Sequence, residues 1–323
     1  MRVVGSASGI NIQAPDDAYF SYYNSPYISH DIGSAIDIYP RHHEWGGDIE
    51  SPVTGKIVKT KKMRMGQPKQ FPTHEYEYGI GILPEESETD VVRILHCKPA
   101  VSEGETVNLG DCIGKAIRSR YFNYWTGPHY HVEILSKESF SRSSKSYPLE
   151  FEYQFESKKP GNSLENIEIL VDSVTDGHII GFPEHLGYSI IGDLVGLSAS
   201  NEDGKIVGIL DGGLSHYKLG GVIGSSKLEQ DTHVKLLDSP VGSVRNTKHG
   251  VSVFRRGPSI TSFLDNTELR GLSCFIYTKH YTKKNSPQLI LIPKKYGQFK
   301  ELFKEGDLSE LRIISGNNTV KAD

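Results

Sequence analysis

TGPHYHVEI, residues 126–134, decides how the rest of this chain is read. Val132 to Leu135 is strand-like, and a strand running from His129 to Leu135 sends the side chains of residues two apart to the same face. His129 and His131 then converge on one point above a sheet. Neutral imidazole binds zinc, and a second imidazole beside it can carry a proton. The bland alternative is a surface strand with polar alternation.

Upstream, SHDIGSAIDIYP at residues 29–40 places His30 and Asp37 seven positions apart. On a straight strand that odd separation puts them on opposite faces, so they meet only where the chain bends, and Gly33 supplies a place to bend. An imidazole, a carboxylate and a later HxH together offer three ligands with one coordination position open. That is the catalytic arrangement of zinc, with water in the open position, rather than the closed structural one.

Further segments extend the pattern. SPVTGKIV (51–58) and YGIGI (78–82) read as strands, and RILHCKPAVSEGETVNLGDCIGKA (93–116) carries a histidine followed by Val101, Gly104, Val107, Gly110, Ile113 and Gly114 in regular spacing. With TGPHYHVEI, these ordered elements resemble the lysostaphin-type (LytM-like) zinc metallopeptidases over about residues 30–135. The resemblance implies an antiparallel, barrel-sandwich-like β domain binding Zn2+. It implies His30, Asp37 and His131 as metal ligands and His96 and His129 as the catalytic imidazoles. It also implies a peptide or peptidoglycan-type substrate, cleaved by metal-activated water.

Two departures mark the match. Lysostaphin-type enzymes usually separate the first His and Asp by four; here position 33 is glycine. The HxxGxAxD pattern of His30, Gly33, Ala35 and Asp37 instead resembles the related D-alanyl-D-alanine carboxypeptidases and hedgehog domains, which share the zinc arrangement. Around His96, Ile94 and Cys97 stand where the family tends to have Tyr and Leu, which bears on substrate contacts. Cys97 reads as a small core residue. HHEW (42–45) is either a polar rim of the cleft or the source of a substitute ligand, and His74 reads as a surface residue.

Other chemistries find less support. A biotinyl or lipoyl carrier shares the paired hairpins, but KMRMG has Arg64 between Met63 and Met65 where an acylated lysine is needed. GSASG at Gly5 lacks a nucleophile elbow, and there is no P-loop or GxGxxG. Lysines at 279, 283, 284, 294 and 295 read as a solvated face, and NNT at Asn317 as a nominal glycosylation acceptor only.

Composition bounds the remaining possibilities. The 323 residues are 37% hydrophobic and 24% charged, enough for two domains. Thirty-six basic against 40 acidic residues, net −4, disfavour a general nucleic-acid surface. No apolar run approaches the ~20 residues that span a bilayer. The opening MRVVGSASGINIQAPDD has no extended apolar core of a signal peptide, which predicts a cytoplasmic protein, with non-classical secretion as the alternative. Three cysteines without CxxC argue against a disulfide framework.

The chain reads as mostly β, with β-branched and tyrosine-rich runs between Gly, Pro and Asn turns. Ser- and charge-rich SKESFSRSSKSYPLE (136–150), with KKPGN close behind, marks a boundary. Residues 1–150 are read as the metallopeptidase domain and 151–323 as a second β-rich domain. For that second domain, substrate selection, oligomerisation and restriction of access to the cleft all stay open. DGHIIGF (176–182) and DGKIVGI (203–209) read as hairpins closed by Asp-Gly turns, with LGGVIGS (219–225) a weaker echo. One helix is expected, over Lys294–Lys304, with Tyr296, Phe299, Leu302 and Phe303 on one face. The competing functional class is a non-catalytic metal-binding or regulatory protein on the same scaffold. The pattern does not specify an oligomeric state.

Overall fold

A computed structural model describes residues 1–40, 44–150, 157–159, 166–217, 219–224, 228–236, 239–248, 250–256, 260–278 and 287–315. The chain is mostly β and divides into two compact units, Met1–Tyr22 with Tyr27–Phe151, and Tyr23–Pro26 with Glu152–Asp323.

Among its described residues the first unit holds twelve strands: β1 (Arg2–Ala7), β2 (Ile10–Ala14), β3 (Tyr19–Ser21), β4 (Ala35–Tyr39), β5 (Asp48–Glu50), β6 (Gly55–Arg64), β7 (Tyr76–Pro84), β8 (Asp90–Leu95), β9 (Cys97–Pro99), β10 (Thr106–Val107), β11 (Cys112–Ala116) and β12 (Tyr130–Ser136). One antiparallel sheet runs β3-β4-β12-β8-β7-β6-β10. A second runs β5-β11-β9, and β1 and β2 form a hairpin.

β12 lies between β4 and β8, so both of its edges are paired, and every residue of it but Ser136 is buried. One face carries Tyr130, Val132 and Ile134 against Ile36 and Ile38 of β4, Val92 and Ile94 of β8, and Ile80 and Ile82 of β7, all fully buried. Burying one such aliphatic side chain contributes about 1.5–3 kcal/mol, so this face anchors the sheet. The opposite face carries polar residues, and register aligns them across strands. Asp37 pairs with His131, Arg93 with Glu133, and Gly79 with Leu95. Cross-strand partners share a face, which collects residues distant in sequence. Gly79 and Gly81 keep that face open beneath the Phe140 ring. A Cβ at Gly81 would stand 2.8 Å from a ring carbon of Phe140.

The second unit is also antiparallel β. Asn166–Val174 pairs with Ile179–Pro183 across the turn holding Asp176-Gly177, and Leu194–Ser200 with Ile206–Leu214 across the turn holding Asp203-Gly204. Both Asp-Gly motifs therefore close hairpins, as their sequence predicts. The third echo forms strand Leu219–Ile223, ended by Gly224 at φ +74°.

The helix expected over Lys294–Lys304 is reduced to a 3-10 turn at Gln298–Glu301. Strand Leu289–Pro293 precedes it and strand Leu308–Ser315 follows. Gly297, at φ +82°, cannot continue a right-handed helix, which is why the turn begins only after it. The expected apolar face survives in part: Phe299 and Phe303 are buried in the core with Leu210, Leu291 and Leu311, while Leu302 is exposed. Among the described residues no helix is long and apolar enough to cross a membrane.

Candidate metal centre

His30 enters on a short helix, Ile28–Asp31, and the chain then reverses through Gly33 at φ +68° into β4. That bend brings His30 to the face on which Asp37 stands. Asp37 meets His131 through the β4–β12 register. One ligand atom from each of His30, Asp37 and His131 lies within 4.8 Å of the other two, and all three residues are buried. His131 Nδ1 is 2.7 Å from Asp37 Oδ1, His30 Nε2 is 3.2 Å from His131 Nδ1, and His30 Nε2 is 3.4 Å from Asp37 Oδ1.

The outward-facing nitrogens fix what the inward-facing atoms are. His30 Nδ1 lies 2.7 Å from the Tyr22 carbonyl oxygen, to which it can only donate. His131 Nε2 lies 2.6 Å from Glu133 Oε1. Burial works against the charge on Glu133. Hydrogen bonding to and the charge of His131, the charge of Arg93 and the Ser146 hydroxyl overcome it, holding the carboxyl down at about 2. An ionised Glu133 accepts the His131 Nε2–H. His30 Nε2, His131 Nδ1 and Asp37 Oδ1 are then three lone-pair atoms aimed at one another in a buried space. That constellation needs a positive charge among them, either a proton or a cation. Two borderline nitrogens and a hard oxygen are a donor set suited to zinc.

Charge follows the same geometry. Burial disfavours an ionised Asp37, but the charges of His30 and His129 and hydrogen bonds to His131 and His30 hold its carboxyl well below the usual range. Burial lowers the pKa of His131, yet the carboxylates of Asp37 and Glu133 outweigh it and raise the imidazole to about 9 in the metal-free protein. A neighbouring carboxylate at each nitrogen is the same arrangement that orients metal-bound histidines through an outer partner.

His129 lies beside the cluster without joining its shortest contacts. Nδ1 donates to the Gly127 carbonyl at 2.9 Å, and Nε2 is 3.7 Å from Asp37 Oδ2. Its ring packs between Tyr39 and Phe122, at centroid separations of 4.8 and 4.7 Å. Burial pushes its pKa down to about 4, so it is neutral at physiological pH. His96 follows β8 directly, with ring centroids 5.4 Å from His129 and 6.0 Å from His131. All five histidine and aspartate positions singled out in the sequence thus stand in one buried cluster.

The shifts set a pH dependence for the metal-free protein. His129, lowered from 6.5 to about 4, stabilises the fold fully above about pH 6.5 and loses that contribution as pH falls toward 4. His131, raised to about 9, stabilises it fully below about 6.5 and loses that contribution as pH rises through 9. Urea unfolding of chelator-treated protein should therefore show declining stability on both sides of about pH 6.5. A curve rising steadily from 6.5 to 9 would contradict the charge assignment.

Of the other residues the sequence raised, His42 and His43 lie outside the described residues. Trp45 packs against Phe122, which lies against His96 and His129. His74 is exposed, and Cys97 is fully buried with its thiol pKa pushed up by burial. Lys279, Lys283, Lys284 and Asn317 also lie outside the described residues.

Three residues that shape the site were not singled out: Glu77, Arg93 and Glu133. Glu133 had a signal, since it follows His131 by two on the same strand. Arg93, buried, ion-pairs with Glu133 and donates to the Phe140 carbonyl. A cavity of about 260 Å³ adjoins the cluster, lined by Lys61, Met63, Gly79, Leu95, His96 and His131 among others.

Fold and site thus describe a β-rich chain with a buried His–Asp–His cluster on the polar face of an antiparallel sheet. Residues 12–151 match the family model described as "Domain of unknown function (DUF8155) N-terminal domain", and residues 188–287 match its C-terminal counterpart. No curated protein matches. Among solved structures the chain is similar to the antimicrobial peptidase lysostaphin from Staphylococcus simulans, at 14% identity, covering 60% of this chain and 89% of that one, with a TM-score of 0.28. It is similar also to an NMR solution structure of lysostaphin, at 14% identity, covering 76% of this chain and 98% of that one, with a TM-score of 0.28.

Proposed function

We propose that the first unit is a zinc-dependent peptidase that hydrolyses a peptide bond, with a peptide or peptidoglycan-type chain as its substrate. The observation that carries this reading is the trio of inward-facing lone-pair atoms on His30, Asp37 and His131, whose outward nitrogens are already committed to Tyr22 and Glu133. These three side chains would hold zinc. The chemistry zinc supplies when bound is polarisation of a carbonyl oxygen and acidification of water.

The chain's own groups do the rest. His129, neutral and with Nδ1–H tied to the Gly127 carbonyl, offers the Nε2 lone pair to take a proton from the attacking water. As the carbon–oxygen bond forms and the carbon–nitrogen bond breaks, that proton passes to the leaving amine. His96 stands across the same space, placed to share proton transfer. The aromatic walls, Tyr39 and Phe122, exclude bulk water from the His129 ring. At about 260 Å³ the adjoining cavity falls just below the range for drug-sized ligands, which suits one substrate residue beside the scissile bond.

The test is zinc-loaded full-length protein incubated with muropeptides and with glycine- or D-amino-acid-containing peptides, read by mass spectrometry. Hydrolysis that stops on chelation and returns with zinc is the expected result. Bound zinc with no cleavage across the panel would favour the non-catalytic class instead.

A further inference from the structure

Glu77 is a carboxylate with no access to solvent, on β7 and outside every motif that the sequence singled out. Each of its oxygens is committed. Oε1 accepts from the backbone N–H of His96 at 2.9 Å and of Tyr78 at 2.8 Å. Oε2 lies 2.8 Å from His96 Nδ1. Burial would raise its pKa, but the His96 ring, the Ser119 hydroxyl and the Tyr78 N–H lower it, so the carboxylate is the resident form. His96 itself sits at φ +65°, a left-handed conformation unusual for a residue with a side chain. One carboxylate therefore grips both the strained backbone and the ring of the same histidine.

We propose that Glu77 is a positioning residue: it locks His96 in the tautomer with Nδ1–H, leaving Nε2 as the lone-pair nitrogen available to the reaction. The catalytic importance of this lock rests on the peptidase reading; the lock itself does not. An ionised carboxylate only accepts, so the nitrogen facing it must carry hydrogen. The Phe122 ring, at a centroid separation of 4.4 Å, packs against the imidazole from another side.

Glu77→Gln isolates the effect because it keeps shape and removes one acceptor. The two backbone N–H groups require the amide oxygen to stay where Oε1 was. The amide NH2 then faces His96 Nδ1, which can only accept. The hydrogen must move to Nε2, and the lone pair that would take a proton during hydrolysis is lost. Packing and the His–Asp–His cluster are left as they were.

The experiment is long-range 15N–1H correlation NMR on the full-length chain with 15N-labelled histidine at neutral pH, with the His96 signals assigned by their absence in His96→Gln. Wild type should show Nδ1 protonated and Nε2 bare; Glu77→Gln should show the reverse, with zinc uptake unchanged. Where hydrolysis is measured, kcat should fall about 10²-fold with KM little changed. A wild-type His96 protonated at Nε2, or a Glu77→Gln variant that keeps Nδ1–H, would overturn the proposal. The wild-type spectrum needs no variant, so the proposal can still be refuted if Glu77→Gln does not accumulate. A chain that takes up no zinc but shows the wild-type tautomer would refute the peptidase reading alone and leave the lock standing.

Discussion

Replacing His129 with glutamine should leave zinc bound while hydrolysis falls by about 10²–10⁴-fold. The expectation follows from where each nitrogen points. Nδ1 is tied to the Gly127 carbonyl, and Nε2 stands 3.7 Å from Asp37 Oδ2, outside the trio that would hold the ion. Glutamine keeps a polar side chain between Tyr39 and Phe122 but has no lone-pair nitrogen that can take a proton at neutral pH. The measurement is zinc content alongside kcat/KM. Loss of zinc from His129→Gln would make His129 a ligand and displace the assignment of roles within HxH.

The second large effect is on stability. Arg93→Met should destabilise the protein by about 3–5 kcal/mol, because it leaves a buried Glu133 carboxylate without its guanidinium. The pair is almost wholly enclosed, with side-chain exposures of 4% and 0%. Glu133 also holds Nε2 of His131, so its disturbance should spread to the metal site and weaken zinc binding by about 10–100-fold. Urea unfolding and zinc titration check the two consequences separately. The double variant Arg93→Met with Glu133→Gln should recover part of the lost stability, because no uncompensated charge remains. A single variant within about 0.5 kcal/mol of wild type, the usual range for surface changes, would show that the pair carries little.

How far the amino-acid pattern reaches can be argued from these residues. Strands Gly55–Arg64, Tyr76–Pro84 and Tyr130–Ser136 were legible in part from SPVTGKIV, YGIGI and the stretch from His129 to Leu135, whose β-branched runs stop at Gly and Pro turns. That His129 and His131 both approach Asp37 agrees with the two-residue strand period. The meeting of Asp37 with His131 was not legible, because it depends on β4 pairing with β12 across 94 positions, and register is a property of the assembled sheet. Resemblance supplied what periodicity could not.

Glu77 and Arg93 escaped notice for the same physical reason. Each looks like an ordinary charge in a polar stretch, and only cross-strand neighbours reveal that it is buried and paired. The helix expected over Lys294–Lys304 is shorter in the structure because apolar spacing of three and four is also satisfied by one 3-10 turn between two strands. Gly297 was the signal that should have shortened it.

The central claim is that His30, Asp37 and His131 hold one cation. Elemental analysis of purified, zinc-equilibrated protein tests it most directly, with His131→Ala as the comparison. The account predicts about one zinc ion per wild-type chain and close to none in His131→Ala. A wild-type chain free of metal after equilibration, or a His131→Ala chain holding as much zinc as wild type, would contradict it.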